Sequence, residues 1–169
     1  MQDFEARCRS LASYIDRSLS QLRVDNLWLG GLMQPEACVT AMRQLVAQEN
    51  QWPLEKVRLT LHPISKEECV DLQSRKTTEK TRWFVVRSLT LEGAEWSNGR
   101  LEPSEEIWSS WDRVLFEWSD QEHAVDEMSI PIYLNESRAN LLCVVDVKYM
   151  TAIPKELWNE KAVAFIAWK

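Results

Sequence analysis

The hydrophobic period of this chain changes near residue 54. Before that point, apolar side chains recur every three or four residues; after it, they recur every two. Such a chain must place helices ahead of a sheet. From Asp3 to about Arg23, residues Phe4, Cys8, Leu11, Ile15, Leu19 and Leu22 form one helical face, and Arg7, Arg9, Asp16 and Arg17 populate the other. Asp3 is the expected N-cap. A second helix is expected from Pro35 to about Glu49, with Cys38, Ala41, Met42, Leu45 and Val46 inward and Trp52-Pro53 closing it. Between them, Gly30-Gly31 breaks the chain within an apolar stretch from Leu27 to Met33, which implies a buried turn.

Beyond the change, Val57, Leu59 and Leu61 alternate with Arg58 and Thr60 as a half-buried strand does. Residues Ser65 to Arg82 read as a polar, irregular loop that could hold a weak strand. Trp83–Glu92 is a strand with Phe84, Val86, Leu89 and Leu91 as its inward set, and Asn98-Gly99 signals a hairpin. Val114, Phe116 and Trp118 alternate again. Strands follow at Met128–Leu134 and Leu141–Tyr149, then a helical turn at Pro154–Trp158 and a last strand at Ala162–Ala167. Pro131 lacks an N–H for a ladder, so its strand should lie at an edge or carry a bulge. Trp108 and Trp111 fit either a short helix or a fold over a barrel end. Helices ahead of several short strands read as an α+β chain whose sheet curls into a barrel or sandwich.

The 169 residues suit one domain or two small lobes sharing a core, and nine tryptophans imply a well-filled core with some covered interface. A net charge of −6 with no run of Lys/Arg argues against nucleic acid, anionic membrane and direct microtubule contact as partners. Cys8, Cys38, Cys69 and Cys143 show no CxxC and no metal-ligand spacing, so free thiols in a reducing compartment are expected. No signal peptide or apolar run of spanning length is apparent, which makes a cytosolic protein the expectation.

Signs of turnover chemistry are lacking. Gly30, Gly31, Gly93 and Gly99 are too few and too scattered for a phosphate-cradling loop, so no nucleotide cofactor is expected, and the absence of zinc-like Cys/His spacing makes no metal the expectation. His62 and His123 read as surface residues, and Glu67-Glu68, Glu105-Glu106 and Asp126-Glu127 as solvated loop charges. Asp146 interrupts an apolar strand and should face outward or meet a basic partner. A competing reading is an independent module whose barrel holds a peptide or small ligand, with Trp108, Trp111 and Trp118 as a stacking platform.

Four motifs in order resemble the end of dynein heavy chains. Leu27-Trp28-Leu29-Gly30-Gly31-Leu32, with Pro35-Glu36-Ala37 and Thr40–Gln44, is similar to the family's helix-entry motif, and Val46–Glu55 is similar to its cytoplasmic class. Leu89–Trp96 resembles the strand and turn "LxLEGAxW"; Ile130–Asn135 with Arg138-Ala139 resembles "LPVYxN…R"; Glu160–Ala164 is similar to the closing "RGVAL", with Lys161 and Ala162 where Arg and Gly are usual. The departures are Met33-Gln34, Cys38 and the unmatched 65–82 region.

The resemblance implies a segment that follows the sixth AAA+ module of a much longer chain, so that Met1 is not that chain's start. The implied fold is α+β: two N-terminal helices packed on a small antiparallel β-barrel of about six strands, with residues 1–53 helical and 54–169 forming the barrel. The implied role is a non-catalytic, cytoplasmic and cytoskeleton-associated cap on the AAA+ ring of a minus-end-directed motor, tuning processivity and force. ATP binds elsewhere in such a protein. The implied partners are the ring and, as a further candidate, the linker, with the isolated domain monomeric. A cap acts only through contacts that differ between ring states. Phe4, Leu11, Ile15, Trp28, Gly30, Gly31 and Pro35 are the candidates for ring or interdomain contact.

Overall fold

A computed structural model describes residues 27–74, 83–105 and 109–168. The expected first helix, with Phe4, Cys8, Leu11 and Ile15, lies outside the described residues. The remaining order is a 3-10 turn (Leu29–Gly31), α1 (Pro35–Asn50), a second 3-10 turn (Leu54–Lys56), β1 (Arg58–Pro63), α2 (Lys66–Ser74), β2 (Trp83–Glu92), β3 (Ala94–Ser97), β4 (Arg100–Pro103), β5 (Ser109–Ser119), β6 (Glu127–Tyr133), β7 (Leu141–Lys148), α3 (Lys155–Glu160) and β8 (Ala164–Ile166). The change of period at residue 54 is therefore the change from helix to strand.

Six strands close into a barrel in the order β1-β5-β2-β8-β6-β7, while β3 and β4 form a separate hairpin. The α+β barrel matches expectation, but its sheet is mixed where a purely antiparallel one was expected. Four pairings are antiparallel, and β1–β7 and β6–β8 are parallel. Sequence patterning is blind to this, because both ladder types bury alternate residues. The hairpin turns at Asn98 (φ 51°) and Gly99 (φ 75°), as the Asn-Gly pair predicts.

Alternation supplies the core. Leu59, Leu61, Phe84, Val86, Phe116, Ile130, Ile132, Val145, Val147 and Phe165 are all buried in one cluster. Phe84 and Phe116 sit opposite each other on β2 and β5, with ring centroids 5.2 Å apart. Each such fully buried side chain contributes about 1.5–3 kcal/mol of apolar burial. The inward set of β2 shifts from Phe84 and Val86 to Leu89 and Leu91 across Ser88, whose φ of 59° absorbs the extra step. Pro131 pairs with Val144, and the bulge its presence implied falls between Ile132 and Tyr133.

Helix α1 packs on β7 and buries Pro35, Cys38, Val39, Met42, Val46 and Ala47. Its inward stripe is thus turned slightly from the expected one, with Ala41 and Leu45 half-buried. The segment expected to be an irregular loop contains α2. Ser65 and Glu68 form a capping box: the Glu68 N–H donates to Ser65 Oγ (3.1 Å) and the Ser65 N–H to Glu68 Oε2 (2.7 Å). That Ser-x-x-Glu spacing is a helix signal that the polarity of the segment hides.

Candidate contact surface and polar cluster

Leu27 joins the barrel wall beside β2. Its N–H donates to the Val85 carbonyl (2.7 Å), and its own carbonyl accepts from the Arg87 N–H (2.9 Å). Leu27 and Leu29 are fully buried, so Trp28 between them points outward and remains 48% exposed. The 3-10 turn follows at once, closed by the Leu32 N–H on the Leu29 carbonyl (3.2 Å).

The glycines there are required by close approach. A Cβ on Gly31 would sit 2.5 Å from Trp28 Cε3. One on Gly30 would sit 2.8 Å from the Ala167 carbonyl oxygen, 3.0 Å from Trp28 Nε1 and 3.1 Å from Trp168 Cβ. Trp28 and Trp168 therefore flank Gly30. Trp168 is 56% exposed, and its N–H is fixed on the Leu134 carbonyl (2.8 Å). The two half-exposed tryptophans, meeting over Gly30, form an aromatic shelf at the end of β8. Of the contact candidates, Trp28 and Gly31 are exposed in this shelf, Gly30 lies beneath it, and Pro35 is buried at the start of α1. Trp168 escapes sequence reasoning because it stands at the opposite end of the sequence from Trp28, and only barrel closure brings the two together.

A second constellation lies where β1, β6 and β7 meet. Asp146 is buried and receives three hydrogen bonds: Arg58 Nε (2.9 Å) and Arg58 Nη2 (2.7 Å) on Oδ2, and Ser129 Oγ (2.8 Å) on Oδ1. The basic partner expected for Asp146 is Arg58. Arg58 also donates to Glu127 Oε2 (2.9 Å) and to the Gln121 carbonyl (3.0 Å). Glu127, expected to be a solvated loop charge, is instead 12% exposed and held in this cluster. Burial favours its neutral form, but the Arg58 hydrogen bond, the Ala124 N–H and the Arg58 charge outweigh that and lower its pKa. Burial likewise works against the Arg58 charge, and the two carboxylates more than offset it, raising the pKa.

His123 Nδ1 lies 2.7 Å from Arg58 Nη2. A guanidinium only donates, so in this contact Nδ1 is the acceptor. Although a serine, a histidine and an aspartate are close here, Ser129 directs its proton to Asp146 and Arg58 fills the centre. The arrangement pins the 120–126 loop to the barrel and offers no activated nucleophile.

Trp118 is buried against Phe84 at a centroid distance of 6.4 Å, whereas Trp111 meets Trp96 of the β3–β4 hairpin edge-on at 5.9 Å. Trp118 belongs to the core cluster and Trp96 and Trp111 pack against that same cluster, while Trp108 lies outside the described residues. Among the described residues, no group of three or more His, Cys, Asp or Glu is placed to hold a metal ion. Cys38, Cys69 and Cys143 are free thiols.

The family model for the C-terminal domain of the dynein heavy chain matches residues 1–167. The present sequence is 32% identical over 175 aligned residues to a cytoplasmic dynein heavy chain of Dictyostelium discoideum, an alignment covering 100% of this chain and 3% of that one. It is 30% identical to the cytoplasmic dynein heavy chain of Drosophila melanogaster, covering 97% of this chain and 4% of that one. A flagellar outer-arm dynein beta chain of Chlamydomonas reinhardtii is 30% identical over 66% of this chain and 2% of its own length. The 169 residues thus span only a few per cent of the length of these relatives.

Proposed function

The protein belongs to the family of C-terminal domains of dynein heavy chains, and from that premise we propose that it is the cap of a cytoplasmic, minus-end-directed motor heavy chain, packing on the AAA+ ring and tuning processivity and force. The segment itself is not an enzyme. The observation that carries the contact reading is the Trp28–Trp168 shelf. Two half-exposed indoles held over a glycine turn offer a rigid, amphipathic surface of the kind that anchors interfaces. The ring of the same heavy chain is the proposed partner, with the linker as a further candidate. ATP binding, microtubule contact and cargo attachment are assigned to the remainder of the heavy chain.

The shelf is a surface that can be gripped differently in different ring states, which is what modulation requires. The test is single-molecule motility of a full-length heavy chain with Trp28→Ala and Trp168→Ala together. The expected result is altered run length or stall force with ATP binding intact. Motility identical to the parent motor would remove the modulatory role of this surface.

A further inference from the structure

The barrel ladders are unequal. β2–β5 pairs eight positions, β6–β7 seven and β1–β5 six. The two parallel seams are far shorter: β1–β7 is paired only at Thr60 and Asp146, and β6–β8 only at Ile132–Phe165 and Tyr133–Ile166. Both seams border the same contiguous hairpin, β6–β7. Its base is closed by the Tyr149 N–H on the Asp126 carbonyl (2.9 Å) and anchored to β4 by Arg100, which reaches Asp126 at 3.0 Å. Arg58 pins the hairpin near this base. At the tip, the side-chain link across the seam is Arg138.

Arg138 donates to Glu92 at the end of β2 and to the Ala162 carbonyl (2.8 Å), and its guanidinium lies 6.0 Å from the Tyr133 ring centroid. Glu92 is only 13% exposed, so the charge it shares with Arg138 is costly to leave unpaired. Arg138 (φ 54°) and Ala162 (φ 48°) both hold left-handed backbone in local turns: the Arg138 N–H closes on the Asn135 carbonyl (3.1 Å), and Ala162 lies just past the end of α3 with its N–H on the Asn159 carbonyl (3.2 Å), so the latch joins two firmly turned segments. Beside the link, the Ala167 and Trp168 N–H groups donate to the Tyr133 and Leu134 carbonyls (2.9 and 2.8 Å).

We infer that Arg138 is a latch: it holds the tip of the β6–β7 hairpin against β2 and β8, and its release lets the tip part from the barrel along the short seam while the β1–β5–β2 sheet stays folded. The seam ends at Leu134 and Trp168, so the latch borders the aromatic shelf. The latch does not depend on what the shelf binds.

Amide hydrogen exchange on the 169-residue protein tests this. In the parent, peptides from 132–142 exchange faster than peptides from 84–91 and 113–118, through openings that expose far less surface than global unfolding. Arg138→Ala raises exchange in 132–142 by about tenfold, the equivalent of one lost charge-assisted hydrogen bond, and leaves 84–91 and 113–118 unchanged. Arg138→Lys keeps a charge for Glu92 but cannot also reach the Ala162 carbonyl as the guanidinium fork does, so it raises exchange in 132–142 by less than Arg138→Ala, and the absence of any rise at the tip counts against the latch. Equal protection of hairpin tip and β2–β5 sheet in the parent overturns the latch. So does a uniform rise across the molecule in Arg138→Ala, or no change at the tip. If Arg138→Ala does not fold, the parent profile and Arg138→Lys decide the matter alone.

Discussion

Replacing Arg58 by methionine keeps much of its apolar stem and removes its charge. It leaves Glu127 and Asp146, 12% and 11% exposed at their side chains, sharing a site with no cation between them. Breaking a buried ion pair costs about 3–5 kcal/mol, and exposed pairs contribute only about 0–1 kcal/mol. Arg58 is itself one-fifth exposed, so a loss of about 2–3 kcal/mol at pH 7 is expected. At roughly 2–4 °C per kcal/mol for a protein of this size, Tm should fall by about 4–12 °C. The loss also depends on pH. Glu127 has a lowered pKa in the folded protein, so its contribution is fully present above the unfolded value of about 4.3 and is lost as pH falls through the folded value. Arg58→Met removes the main cause of that lowering. Its deficit should therefore be largest near neutral pH and shrink in acid as Glu127 protonates. Urea unfolding of parent and variant, followed by tryptophan fluorescence at pH 7 and pH 4, measures both quantities. A deficit under about 0.5 kcal/mol at pH 7 would place the cluster with ordinary surface pairs and remove the weight given to its burial. An equal deficit at both pH values would assign the effect to the arginine stem.

Further outcomes rest on the same geometry. Gly30→Ala drives a methyl into the Ala167 carbonyl oxygen at 2.8 Å and should cost about 1–3 kcal/mol by thermal melting, since backbone there cannot yield cheaply. Gly31→Ala meets the Trp28 ring instead, at 2.5 Å, and should displace the indole and shift its emission. Burial pushes the Cys143 thiol up to about 12, so iodoacetamide at pH 8 should leave it unmodified in the folded protein and label it in urea.

Much of this fold is legible in local patterning. Alternation from Val57 and again from Trp83 marks the strands, and Asn98-Gly99 marks the hairpin, because each is set by residues adjacent in the sequence. The parallel pairings of β1 with β7 and β6 with β8 are not legible, since strand neighbours across a barrel leave no local trace. Asp146 stands out as a charge in an apolar run, yet Glu127 reads as a loop charge. What distinguishes Glu127 is Arg58, far off in sequence and brought close by closure. Similarly, Trp28 is apparent from its motif, whereas Trp168 joins it only through the approach of Ala167 to Gly30.

If the Trp28–Trp168 shelf is a docking surface, the rest of the heavy chain must cover it. Hydroxyl-radical footprinting compares oxidation of these two indoles in the 169-residue protein and in the full-length heavy chain. Both should be readily oxidised in the short form and protected in the long one, while buried Trp118 and Trp158 react slowly in each. Equal oxidation of Trp28 and Trp168 in the two proteins would contradict a covered shelf.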